Sequence, residues 1–360
     1  MKKNILELCL SPDLGGLELS VADYFEYFAK KEKSYLCVAP FKKLDKHIEH
    51  SHKFRLKRNR LFPIIPALKL ARFIDANEID FIHFHWTKDI ALAVLAKTLS
   101  RRKPKLMQSR HMTMTRFKSD FYHKWLYKNI DIMHAVTHQV KEQLEKFIPV
   151  DVRPRIEVVY LGVSQPEVDK ELVESLRKGY NLEDSFVVGM VGRIEEGKGQ
   201  YLLLEALAKL PAFNIKALIV GAPMQEEYLE ELKQLARKLS IEGRVVFTGF
   251  TKAVYEHIGL CDVTVLATPK ETFGLVVIES MANGVPVIAT NSGGPLEIID
   301  EGVDGLFFNR TAQHLAQKIQ ELYENRALRD SLAQAAQMKV KEKFDKTKQM
   351  QKMYEVINES

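Results

Sequence analysis

Cysteine is scarce in this 360-residue chain. Cys9, Cys37 and Cys261 stand far apart in or beside apolar runs, with no CxxC spacing for a metal or redox pair. That excludes a disulfide-built fold and suits a reduced, cytosolic compartment. Long apolar runs are missing too: none approaches the roughly 20 residues a membrane-spanning helix needs. The start, "MKKNILELCLSPDLGG", meets Glu7 and Asp13 too soon for a signal peptide, so a first strand is expected there. A GxGxxG motif is absent, which removes the dinucleotide fingerprint. Short-period repeats and low-complexity segments are absent as well.

What is present fits a globular protein, with 46% hydrophobic and 28% charged residues. The length suits two domains better than one core. Charge is unevenly placed. Residues 1–165 hold 30 Lys+Arg against 18 Asp+Glu, and the remainder holds 23 against 29. The basic half is expected to meet something anionic: nucleic acid, a phosphorylated glycan or a membrane surface.

Strand and helix signals alternate throughout. "NILELCL", "SYLCVAP", "DFIHFHW", "KLMQSRH", "DIMHAVT" and "RIEVVYLG" predict strands in the first half, with amphipathic helices between them. "LGVSQPEVDKE", with Gly162 and Pro166, predicts a hinge. A second series follows: "SFVVGMVG", "NIKALIVGA", "RVVFTGF", "VTVLAT", "VPVIAT" and "GLFF". The tail from residue 312 is predicted helical throughout. This pattern predicts two doubly wound, Rossmann-like α/β domains facing a central cleft, with ligands beyond the carboxyl ends of the strands. The expected domains are 1–163 and 164–344, with a helix at about 345–360 packing back on the first.

Four stretches could carry chemistry. In "MVGRIEEGKGQ", Arg193 and Lys198 bracket a glycine-containing loop before a helix; cations above a helix amino terminus make a diphosphate site. The same loop could instead be a solvent-facing turn whose cations pair with Glu195 and Glu196. In "SPDLGGLELS", Gly15 and Gly16 open a helix, either for close approach of a ligand or as a plain tight turn. His83 and His85 share one face of a strand and suit structural roles, lacking the partner pair of a zinc site. His111 follows a strand at its carboxyl end, where chemistry belongs. Finally, "ETFGLVVIES" places Glu271 before a helix amino terminus and Glu279 within that helix. A phosphate at the terminus, with an acid for hydroxyls on each side, describes a nucleotide sugar. Glu279 could equally be an ordinary helix residue and Glu271 a favourable first-turn charge.

"GRIEEGKG", "ETFGLVVIESMANGVPVIATNSGGPLEII" and "GGLE" together resemble glycosyltransferase family 4, retaining enzymes of the GT-B fold. The resemblance spans nearly the whole chain and is strongest from 186 to 308. It implies transfer of a sugar from a UDP- or GDP-linked donor to a hydroxyl of a glycan or lipid-linked glycan, as in lipopolysaccharide or surface-polysaccharide synthesis. By that resemblance Glu271 binds the transferred sugar, Glu279 the ribose, and Arg193 and Lys198 the diphosphate. The backbone near Phe273, Gly274 and Leu275 assists, the Gly15–Gly16 loop closes over the substrates, and His111 lines the sugar pocket. Gly249 and Phe250 fall where the base sits. No metal and no cofactor are implied. Where such enzymes often carry Glu-Gly-Phe-Gly, this chain has Glu271-Thr272-Phe273-Gly274, and Thr272 is expected to narrow the loop beside the sugar. "LATPKE" likewise replaces the more usual Pro-Ser before the acid.

The basic stretch with Lys53, Arg55, Lys57, Arg58 and Arg60, followed by an apolar helix, suits anionic lipid headgroups at the inner membrane face; "SRRKPK" adds Arg101, Arg102, Lys103 and Lys105. A solvated charged face beside a core helix is the plainer reading. Nucleic acid is not expected, because no recognised motif or stacking platform accompanies the charge. The competing reading is a non-catalytic nucleotide-sugar-binding scaffold subunit. Loss of Glu271, Arg193 or Lys198 would favour it, and all three are present.

Overall fold

A computed structural model describes residues 3–59 and 63–360. The chain divides into two compact units: residues 1–160 with 348–360, and residues 161–347.

The first unit holds seven parallel strands: β1 (Asn4–Cys9), β2 (Lys33–Val38), β3 (Lys53–Arg55), β4 (Phe81–Phe84), β5 (Lys105–Arg110), β6 (Ile132–Ala135) and β7 (Arg155–Val158). Their order is β3-β2-β1-β4-β5-β6-β7, which reverses direction between β1 and β4. Most strands are buried on both faces because helices cover both sides, as the near-continuous apolar runs predict. Residues 348–360 belong here: Met350, Met353 and Ile357 pack with Ile5, Tyr24, Phe28 and Phe81.

The second unit holds β8 (Phe186–Val191), β9 (Ile215–Val220), β10 (Val245–Gly249), β11 (Val263–Leu266), β12 (Val287–Thr290) and β13 (Leu306–Phe308), all parallel. The order β10-β9-β8-β11-β12-β13 reverses between β8 and β11. Each unit therefore has one switch point, where loops on adjacent strands diverge and leave a crevice for a ligand.

Three details depart from the sequence expectation. Strand β3 lies in the basic stretch, where no strand was predicted. The polar segment after the hinge forms a helix, Lys170–Gly179, capped by Asp169 accepting from the Leu172 amide at 3.1 Å. The tail is three helices, Ala312–Glu324, Arg326–Lys343 and Lys346–Asn358, broken at Asn325 and at Phe344–Asp345. The three cysteines are free and buried.

Candidate functional site

In the second unit, the loops leaving β8 and β11 come together at the switch point. Beyond β8, Gly192 and Arg193 lead into a single tight turn, Glu196–Lys198, and then the helix Gln200–Ala208. Gly199 caps that helix at φ +77°, and an added Cβ would stand 3.0 Å from the Ala267 carbonyl, so this loop lies against the exit of β11. The buried Gln200 side chain donates to the Arg193 carbonyl at 2.9 Å and pins the loop from below.

Beyond β11, the chain runs through Glu271 to the helix Leu275–Ala282, whose cap is Gly274 at φ +100° with no side chain to bond the first-turn N–H groups. Within that turn the Val277 amide donates to the Gly274 carbonyl at 2.9 Å, and the amides ahead of it have no capping side chain from Gly274. The acid-bearing loop is stitched to the loop after β12: Thr290 Oγ1 donates to the Thr268 carbonyl (2.8 Å), Ser292 Oγ to that of Pro269 (2.9 Å), and the Gly294 amide to that of Glu271 (2.8 Å). At Gly294 a Cβ would lie 2.4 Å from the Phe273 carbonyl oxygen, so the two backbones touch only because no side chain intervenes.

Lys198 Nζ lies 3.0 Å from Glu271 Oε2, which joins two of the predicted residues directly. The solvent-turn alternative pairs the cations of this loop with Glu195 and Glu196 instead. Arg193 does pair with Glu195, at 3.5 Å, and its side chain stays largely exposed. Glu279 is partly buried, and burial pushes its carboxyl up to about 7. The Phe273 ring is core, edge-on to Phe344, so only its backbone can face a ligand. Gly249 ends β10, and Phe250 beyond it is 74% exposed.

Gly15, Gly16 and His111 belong to the first unit. Gly15 caps the helix Gly16–Ala29, and its amide donates to the buried Glu18 carboxylate at 2.8 Å. His111 follows β5 directly. The neighbouring Arg110 holds the next turn by donating to the Met112 carbonyl (2.7 Å), the Thr113 carbonyl (2.9 Å) and Thr87 Oγ1 (3.0 Å). His83 and His85 are buried, and both nitrogens of each are engaged. Glu7, from the adjacent β1, completes a cluster with them whose ligand-type atoms lie within 4.8 Å of one another. The spacing of the two histidines along their own strand could not show it. The available signal was an acid in the middle of an apolar strand.

The basic stretch is partly neutralised. Lys53 and Arg55 both pair with Asp45, at 3.1 and 2.9 Å, and Arg102 pairs with Asp80 at 2.6 Å. Arg60 lies outside the described residues. The following helix, Ile64–Ala76, buries Ala67, Leu70, Ala71 and Ile74 yet leaves Ile64 and Ile65 more than half exposed, beside a groove lined by Lys57, Arg58, Lys69 and Arg72. No helix among the described residues is long and apolar enough to cross a membrane.

Comparison with known proteins follows the division into units. The family described as Glycosyltransferase Family 4 matches residues 14–165, and that described as Glycosyl transferases group 1 matches 173–339. N-acetyl-alpha-D-glucosaminyl L-malate synthase of Bacillus anthracis is 28% identical over 302 residues, 81% of this chain and 77% of that protein. The lipopolysaccharide core biosynthesis glycosyltransferase LpsE of Rhizobium meliloti is 34% identical over 42% of this chain and 43% of its own length. In fold, the chain is similar to Anabaena HepE solved with UDP and glucose, at a TM-score of 0.86, 23% identity and coverage of 99% of this chain and 100% of that one. Matched along both units and built on two parallel Rossmann-like sheets, the chain belongs to the family 4, group 1 glycosyltransferases of the GT-B fold.

Proposed function

We propose that this protein is a retaining, metal-independent glycosyltransferase that moves a hexose from a UDP- or GDP-linked donor to a hydroxyl of a glycan or lipid-linked glycan. The observation that carries the reading is the Lys198–Glu271 contact at 3.0 Å, set beside an uncapped helix amino terminus. A cation, open backbone N–H groups and an acid then stand within one small region, the set a sugar diphosphate needs. On donor binding Lys198 turns to the diphosphate, and Glu271 is released to accept hydrogen bonds from the sugar hydroxyls. Arg193 adds positive charge from the same loop, and Glu279 takes the ribose hydroxyls. The base lies near Gly249 and Phe250.

As the bond from the anomeric carbon to the diphosphate lengthens, charge grows on the leaving phosphate, where Lys198, Arg193 and the helix terminus stabilise it. The departing phosphate takes the acceptor proton on the same face, which retains the configuration. LpsE acts in lipopolysaccharide core biosynthesis, and its likeness to this chain supports a surface-glycan acceptor. The test is a donor panel read by nucleoside diphosphate release, with the anomeric configuration of the product assigned by NMR. Release that depends on a glycan acceptor supports the reading; donor binding without transfer to any acceptor overturns it.

A further inference from the structure

One face of the first sheet carries an unbroken string of buried polar groups. His134 Nε2 lies 2.7 Å from the Val159 carbonyl and its Nδ1 lies 2.6 Å from Ser109 Oγ. Ser109 Oγ lies 2.6 Å from His83 Nε2, and His83 Nδ1 lies 3.0 Å from Glu7 Oε1. Glu7 Oε2 lies 2.7 Å from His85 Nε2, and His85 Nδ1 lies 3.3 Å from His111 Nε2. Glu7, His83, His85, Ser109 and His134 are almost wholly inaccessible to solvent, with the Tyr24 ring packed on three of the imidazoles.

Proton counting fixes the direction of this string. A carbonyl only accepts, so His134 Nε2 carries hydrogen and, in the neutral ring, Nδ1 is bare. Ser109 spends its single proton on that nitrogen, and His83 Nε2 must therefore donate to Ser109. His83 then presents a bare Nδ1 to Glu7, so the carboxyl holds the proton between them. The other Glu7 oxygen accepts from His85 Nε2, and the bare His85 Nδ1 accepts from His111 Nε2. Burial favours this neutral arrangement throughout: it raises the Glu7 carboxyl and lowers the imidazoles, His134 to about 4 and His85 and His111 to about 3. Reversing the string would set a bare nitrogen against the Val159 carbonyl or bury a charge.

We propose that this string, anchored on the Val159 carbonyl, is a positioning device that holds His111 with Nε2 protonated and presents Nδ1 as an acceptor for a substrate hydroxyl. His111 Nδ1 has no hydrogen-bond partner among the described residues. Glu7, His83, His85, Ser109 and His134 are positioning residues; the proposal rests on His111 being a substrate-binding residue of the glycosyltransferase described above. The same atoms hydrogen-bond one another at 2.7 and 3.0 Å, so an ion bound there would have to replace those bonds.

The test is nitrogen NMR of protein labelled with ¹⁵N-histidine, with the His111 signals assigned by their loss in His111→Asn. Wild type is expected to show one His111 tautomer, Nε2–H with an unprotonated Nδ1. Glu7→Gln keeps it, because the amide NH₂ donates to His83 and the amide oxygen accepts from His85. Ser109→Ala cuts the string from its anchor and yields a mixture of tautomers; its kcat falls about tenfold while the donor KM holds. Protonated Nδ1 in the wild type, an unchanged tautomer in Ser109→Ala, or its loss in Glu7→Gln overturns the proposal. So does zinc binding at micromolar concentration that depends on Glu7. If no donor is ever turned over the functional reading fails, yet the spectra still decide the string.

Discussion

The Gly294 amide donates to the Glu271 carbonyl at 2.8 Å, so the acid that meets Lys198 is held in place by the loop of the next strand. That backbone contact fixes the loop, while the Glu271 side chain remains free to exchange partners.

Gly294→Ala is expected to disturb the acid without touching it. The new methyl would stand 2.4 Å from the Phe273 carbonyl oxygen, and at φ −54° the backbone itself accepts alanine, so the effect is one of space alone. A shift of the loop by about 1 Å lowers kcat/KM about 100-fold. Steady-state kinetics with a working donor, beside a melting curve showing a folded protein, checks this.

For the ion pair itself, Glu271→Ala should lower turnover about 100-fold or more, as expected when a group that meets the reacting sugar is lost. Nucleoside diphosphate affinity should change little. Lys198→Ala should instead weaken that affinity about tenfold. Because both side chains are partly exposed, their mutual contribution to folding stability is at most about 1 kcal/mol, measurable as the coupling in a double-mutant cycle by chemical denaturation.

Glu279 gives a pH dependence whose sign is opposite to that of a salt-bridged acid. Its carboxyl stands at about 7 in the folded chain against 4.5 when unperturbed, so the folded state binds the extra proton between those values. Stability is therefore lost as pH rises from about 4.5 to about 7, by no more than about 3 kcal/mol. Glu279→Gln should melt with wild type near pH 4.5 and above it at pH 8. Ribose hydroxyls donating to the ionised carboxylate should make nucleotide affinity rise across the same window, as read by calorimetry, and a flat affinity would count against the ribose role.

The groove of Lys57, Arg58, Lys69 and Arg72 beside Ile64 and Ile65 leads us to propose peripheral binding to anionic membranes at the inner face. Sedimentation with phosphatidylglycerol vesicles should pull the protein down at low salt, less at 0.5 M salt as screening shortens. Lys57→Glu combined with Arg58→Glu should release it. Equal binding to neutral vesicles, or none to either, would refute this.

The sequence made most of the fold legible because parallel strands buried on both faces are short runs of Val, Ile and Leu, bounded by Gly or polar residues. Strand β3 escaped because Lys53-Phe54-Arg55 is an edge strand that pairs with β2 alone among the described strands, and its two cations are held by Asp45 from the short helix Lys43–His47. The helix Lys170–Gly179 was hidden by its polarity, and the break at Asn325 by a cap in which that side chain accepts from the Leu328 amide at 3.0 Å. In the site, the motif placed Lys198 and Glu271 on two separate loops, and only the strand order β8-β11 makes those loops neighbours. In the sequence Glu7 is merely a charge that interrupts an apolar run. Its partners come from a strand more than seventy residues away, at His83 and His85, which periodicity within β1 cannot reveal.

The first unit closes its core with Met350, Met353 and Ile357, and Lys3 Nζ reaches the Ile357 carbonyl at 2.5 Å. During synthesis on the ribosome these residues emerge only after all of the second unit. The nascent protein thus carries an apolar seam across β1 and β4 for the time needed to translate residues 161–347. A frameshift late in the message would therefore damage the half translated first.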